Sequence, residues 1–292
     1  MLGFIVLWSI IGVIVVILLI LILRTRFAMF KGRRRDYKVK YVICAAHGIR
    51  TKGEWIRDLF TLLKEKYPEY ANPEETRLVP IRYGYLLASI CVLGFVKNYL
   101  INWMRRKLEA YCEMYPAASI IYFGHSYGTM LGYEALRRSD NIYLDRLVLV
   151  ASIVSSHEIF DDTLGMGKVG EIYCFCSEAD EVCKYNPFGH SGYWGFRRNG
   201  DKECSPRPYD ELEVYNYCKK NMEHSGYFKD EETRSEWMEI LDPRKIVTPL
   251  PDEHWLCPFM ASSNIYPPAC VKEICKLYDK ESDECLLAVK KG

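Results

Sequence analysis

Ile120-Ile121-Tyr122-Phe123-Gly124-His125-Ser126-Tyr127-Gly128-Thr129-Met130 is where reactive residue types and spacing coincide. The stretch reads as a short buried strand running into G-x-S-x-G and then into a helical pattern with Leu131, Ala135 and Leu136 on one face. A serine used as a nucleophile must stand at the end of a sheet, on a turn tight enough to strain its own backbone. Glycine at −2 and +2 (Gly124 and Gly128) lets strand and helix pack that closely. The helix that follows aims its N-terminal N–H groups at negative charge developing beside Ser126. Such a serine needs a base and an acid. The chain offers three carboxylates, Glu178, Asp180 and Glu181, after the apolar run Tyr173–Ser177, and His-Ser-Gly-Tyr occurs twice, at His190 and at His224.

The elements that must position these residues alternate in the manner of a mostly parallel sheet. Strands are expected at 39–46, 77–83, around 120–125, 146–151, 171–177 and 212–218. Helices are expected at 53–67, stopped by Pro68, at roughly 86–115, stopped before Pro116, after the serine turn, and at 231–241. No repeat or low-complexity linker interrupts the series.

The serine turn with its strand and helix resembles the nucleophile elbow of the α/β-hydrolase superfamily. The resemblance covers residues 40–241, and it implies an α/β fold with helices on both faces of the sheet. It also implies roles. The first strand ends in His47-Gly48-Ile49-Arg50-Thr51, similar to the loop that supplies half of an oxyanion hole. That donor is assigned to the N–H of Ile49, and the other to Tyr127, the residue after the serine. A strand-ending turn capped by His47 is the structural alternative. In the superfamily pattern a short polar loop, an Asp and then an apolar residue follow a later strand; Asp180 fits best and Glu178 second.

Both histidine copies follow Asp180, so the order Ser…Asp…His does not separate them. The strand before the second copy does: the expected strand 212–218 and the loop 219–224 return His224 to the sheet edge. His190 lies in a Gly- and Arg-rich loop with no strand to place it. Ser126, Asp180 and His224 are therefore the expected triad. His47, Gly48, His125 and His190 are possible pocket-lining residues, and His157 is solvated or pocket-lining.

With 292 residues, 49% hydrophobic, the chain can bury one sizeable core. Residues 2–23 are an unbroken apolar run, long enough for a helix to cross hydrocarbon. No basic segment precedes it and no small-residue cleavage site follows, so a transmembrane anchor at 1–23 is expected rather than a signal peptide. Arg24, Arg26, Lys31, Arg33, Arg34, Arg35, Lys38 and Lys40 follow, against Asp36 alone. The positive-inside rule then places the remainder in the cytoplasm, with the basic segment 24–40 against anionic head groups. Subtracting that segment from the 39 basic and 38 acidic side chains leaves 31 and 37, so the body is mildly acidic and no candidate for nucleic acid.

Twelve cysteines could form a disulfide framework. Cys44, Cys91, Cys174, Cys176 and Cys218, however, fall inside expected strands or helices, where a thiol packs as a small hydrophobe, and no Asn-x-Ser/Thr sequon occurs. Free thiols are expected. No matched Cys or His spacing suggests zinc, and no cofactor or metal is expected. The charge-free stretch 83–96 is too short to span a membrane and reads as buried helix more than as a membrane-dipping surface. The tail 242–292, with a short helical pattern at 271–277, has no assigned role.

The expected activity is hydrolysis of a carboxylic ester, thioester or acyl lipid, the substrate being a small-molecule or lipid acyl compound. A hydrolase fold kept as a binding or scaffold module at the membrane, and a peptidase or amidase, are the alternatives. The short connection 152–170 leaves no room for a large helical lid, which suggests an open site.

Overall fold

The computed structural model describes residues 35–49, 51, 53–84, 91, 93–158, 168–196 and 214–246, and a short antiparallel pair, Tyr278–Asp279 with Glu284–Cys285. The anchor expected at 1–23, most of the basic segment and the helical pattern at 271–277 lie outside the described residues. Among the described residues no helix is long and apolar enough to cross a membrane.

Six parallel strands form the sheet: β1 Tyr41–Ala46, β2 Thr76–Ile81, β3 Ser119–His125, β4 Leu144–Val150, β5 Val169–Ser177 and β6 Val214–Lys219. Their order is β2-β1-β3-β4-β5-β6. All seven residues of β3 and of β4 are buried, which is why 120–123 and 147–150 read as continuous apolar runs rather than alternating ones. Pro80 has no N–H for a second neighbour, and β2 is an edge strand with β1 as its partner. The chain leaves β1 toward β2, then returns to the other side of β1 and runs outward from β3 to β6. The order thus reverses between β1 and β3, the place where open α/β sheets bind ligands outside the C-terminal strand ends.

Helices connect the strands: α1 Glu54–Lys66, α2 Pro68–Ala71, α3 Gly94–Met114, α4 Tyr127–Arg137, α5 Glu181–Tyr185, α6 Ser191–Trp194 and α7 Glu231–Ile240. Pro68 begins α2 where α1 must stop. The long helix α3 runs from Gly94, with Leu93 extended before it; the expected helical stretch from 86 falls largely on residues 85–90 and 92, outside the described residues.

Helix α7 begins on Asp230, whose carboxylate accepts the Thr233 N–H at 2.8 Å. At its far end Tyr67 and Tyr70 donate to the carbonyls of Met238 and Leu241 at 2.5 and 2.6 Å. Arg146, only 6% exposed, donates to the Ile240 and Lys245 carbonyls and pairs with Glu171 at 2.6 Å. A buried guanidinium needs all these acceptors, and they fix the helix against β3 through Trp237 on Phe123, ring centroids 5.1 Å apart.

Six of the cysteines (Cys44, Cys91, Cys112, Cys174, Cys176 and Cys183) are buried thiols outside any disulfide. Cys218 corrects the free-thiol expectation, being disulfide-bonded. It lies exposed near the end of β6, where a sulfur can reach outside the sheet.

Candidate active site

Ser126 sits between β3 and α4 at φ 52°, ψ −121°, a positive φ that a side chain resists. Its N–H donates to the Val150 carbonyl at 3.0 Å, and its own carbonyl accepts the Thr129 N–H at 2.9 Å. The flanking glycines have steric reasons to be glycine. A Cβ on Gly128 would lie 2.7 Å from the Ala46 and His47 carbonyl oxygens, and one on Gly124 would lie 3.0 Å from the Thr129 backbone nitrogen.

His224 arrives on the loop after β6. Its Nε2 lies 2.8 Å from Ser126 Oγ, and its Nδ1 lies 2.9 and 3.1 Å from the two Asp180 carboxylate oxygens. Asp180 is fully buried at the start of α5, with the Cys183 N–H on its carboxylate at 2.9 Å. Burial works to raise its pKa, but the hydrogen bond and the charge of His224 outweigh it and hold the group below the usual carboxylate range. An ionised acid accepts from Nδ1–H, which leaves the Nε2 lone pair facing Ser126. Glu178 is exposed in the preceding turn.

The structure thus brings Ser126, Asp180 and His224 together and places His190 elsewhere. His190 precedes α6, and its Nδ1–H donates to the Cys183 carbonyl at 2.9 Å. Gly48 lies against the serine: a Cβ there would be 2.9 Å from Ser126 Cβ and 3.3 Å from Oγ. That close loop leaves Ser126 only 6% exposed, less open than the short connection after β4 suggests. Ile49 follows in the same turn, and Tyr127 is the first residue of α4, so its N–H has no acceptor within the helix.

His47 braces this loop instead of lining a pocket. It is 1% exposed, donates from Nδ1 to the Gly48 carbonyl at 2.6 Å and stacks on Tyr83 at 4.3 Å. Burial lowers its pKa, so the ring is neutral. Tyr83 donates to the His47 carbonyl, a brace with no signal in the sequence. His125, also expected near the pocket, is 3% exposed and turned toward the backbone of the His224 loop.

Cys183 was not singled out by the sequence. Its Sγ lies 3.7 Å from His224 Nδ1. Asp180, Cys183 and His224 offer oxygen, sulfur and nitrogen atoms within 4.8 Å of one another, the one group among the described residues suited to a metal ion. The same Asp180 and His224 atoms already bond each other, and burial raises the Cys183 pKa well above the ordinary thiol value.

No family model matches the chain, and no curated protein matches it. Distant likenesses exist among solved structures. Esterase PE8 is 14% identical, over 74% of this chain and 97% of its own, at a TM-score of 0.43. A putative α/β hydrolase from Agrobacterium tumefaciens is 15% identical, over 73% and 89%, at 0.45. MenH from S. aureus is 12% identical, over 73% and 98%, at 0.42. The fold stands on its own strand order: a parallel sheet with helices, and a strained serine turn after the strand beside the reversal, fit the α/β-hydrolase type.

Proposed function

We propose that the chain is a serine hydrolase acting on a carboxylic ester, thioester or acyl lipid. The observation that carries this reading is the 2.8 Å approach of His224 Nε2 to Ser126 Oγ with buried Asp180 on the other ring nitrogen. Ser126 Oγ attacks the acyl carbonyl while His224 Nε2 takes its proton. The N–H groups of Ile49 and Tyr127 hold the oxyanion, and the leaving group departs with the proton returned from His224. Water, deprotonated by the same nitrogen, then attacks the acyl-Ser126 ester, releasing the acid and restoring the serine. Asp180 keeps the imidazole in the required tautomer and stabilises the imidazolium.

Residues 1–23 would anchor this domain in a membrane, with the basic segment on anionic lipid and the domain on the cytoplasmic side. Labelling with a fluorophosphonate probe tests the enzymatic reading, because only an activated serine reacts. Labelling of the wild type and none of Ser126→Ala is expected; equal labelling of both, or none of either, would return the fold to a binding role.

A further inference from the structure

The imidazole of His224 projects from a loop, residues 220–225, that belongs to no strand or helix. Asn221 in that loop holds φ 57°, a left-handed conformation that asparagine tolerates. The position of the ring therefore depends on what holds the loop backbone, and two buried side chains do so. Ser177 Oγ, at the end of β5, accepts the Met222 N–H at 3.1 Å and the Ala179 N–H at 3.1 Å. One hydroxyl oxygen thus joins the loop bearing His224 to the loop bearing Asp180. From the other side His125 Nε2 lies 3.0 Å from the carbonyl oxygen of His224 itself.

A carbonyl only accepts, so His125 carries its proton on Nε2. Its Nδ1 is buried with no partner, against Gly48, where a Cβ would come within 3.1 Å of it. Burial lowers the pKa of this ring to about 3, and its centroid is 5.0 Å from that of His224. It stays a neutral donor through the working pH range and adds no charge beside a forming imidazolium. The residue before the serine thereby fixes the residue that activates it.

We infer that His125 and Ser177 are positioning residues that clamp the His224 loop from β3 and β5, setting the imidazole between Ser126 and Asp180. The inference rests on the hydrolase reading for its kinetic arm but not for its structural one. A misplacement of about 1 Å at a reacting group costs about a hundredfold in rate, so loosening the clamp acts on kcat.

The test uses the full chain with His125→Phe, which keeps a ring without the donor, His125→Gln, whose amide nitrogen reaches as Nε2 does, and Ser177→Ala. Two quantities are read: kcat and KM on a short-chain nitrophenyl ester, and the low-field proton resonance of His224 Nδ1–H on Asp180. His125→Phe and Ser177→Ala are expected to lower kcat at least about tenfold with KM within about threefold, and to shift or broaden the resonance. His125→Gln is expected to restore both. A folded His125→Phe with kcat and resonance as in the wild type would overturn the clamp. Should His125→Phe not fold, an unchanged resonance and rate in Ser177→Ala would overturn it equally. If Ser126→Ala turns over the ester as the wild type does, the hydrolase reading fails, while the resonance still decides the clamp.

Discussion

Ser126 holds φ 52° and ψ −121° with a side chain that opposes both. Strain of this kind costs about 1–3 kcal/mol and persists where the surroundings over-determine it. Here the hydrogen bonds to Val150 and Thr129 do so. Ser126→Gly is accordingly expected to raise the unfolding free energy by about 1 kcal/mol over Ser126→Ala, after the added chain entropy of glycine. Urea titration of the two variants measures it, and equal midpoints at equal slope would deny the strain.

A second residue, Asp145, gives the molecule an unusual pH response. It is 7% exposed, accepts the Ile120 N–H at 2.7 Å, and burial raises its pKa to about 6. A folded pKa above the unfolded one means that the folded state binds the extra proton. Its favourable contribution is full below about pH 4 and is lost as pH rises to about 6. Asp180 has the opposite sign: its pKa is depressed, so its contribution is present above about pH 4 and is lost as pH falls through the folded value. Asp145→Asn is expected to remove the decline between pH 4 and 6. At pH 7 it would gain on the order of 2–3 kcal/mol, since the amide oxygen can still accept from Ile120. Denaturation midpoints across that range check it; an undiminished decline in the variant would show that another group carries the slope.

At the scale of elements, the crossing of β1 with the start of α4 is fixed by Gly128. The two carbonyl oxygens 2.7 Å from its missing Cβ are backbone, and neither can swing aside. Gly128→Ala is expected to destabilise by about 1–3 kcal/mol and to abolish turnover even where the variant remains folded. A normal rate would mean that the crossing has slack. This turn is legible from sequence because its determinants are local: glycines two residues either side of the serine, an apolar run before and helical spacing after. The strands were legible for the same reason, since burial on both faces imposes apolar runs at 120–123 in β3 and at 147–150 in β4. Identical tetrapeptides at His190 and His224 could be separated only by the strand ahead of the second. The contacts of His125 and Ser177 could not be read at all, because no motif ties these residues to partners 99 and 45 positions away as the serine turn ties Ser126 to an acid and a base.

At the scale of the molecule, two features point opposite ways. Eight basic residues follow the apolar run, which favours the cytoplasm. The disulfide at Cys218 suits an oxidising compartment. Six buried thiols fit either side, since burial protects them from exchange. Protease added outside intact cells is expected to leave residues 40–292 uncut, with Cys218 open to alkylation once the surrounding pool has reduced it. External digestion together with an alkylation-resistant Cys218 would reverse the topology and leave the geometry of the candidate site as it is.

The proposed chemistry has Ser126, His224 and Asp180 acting as a unit, and unit behaviour is directly measurable. Purified Ser126→Ala, His224→Ala, the double variant and His190→Ala, each shown to be folded, would be compared on a short-chain nitrophenyl ester. His224→Ala is expected to lower turnover nearly as far as Ser126→Ala and the double variant to be little worse than either. His190→Ala is expected to stay within about tenfold of wild type. Loss of turnover in His190→Ala with His224→Ala spared would contradict the assignment of the base, and full turnover in Ser126→Ala would contradict the account itself.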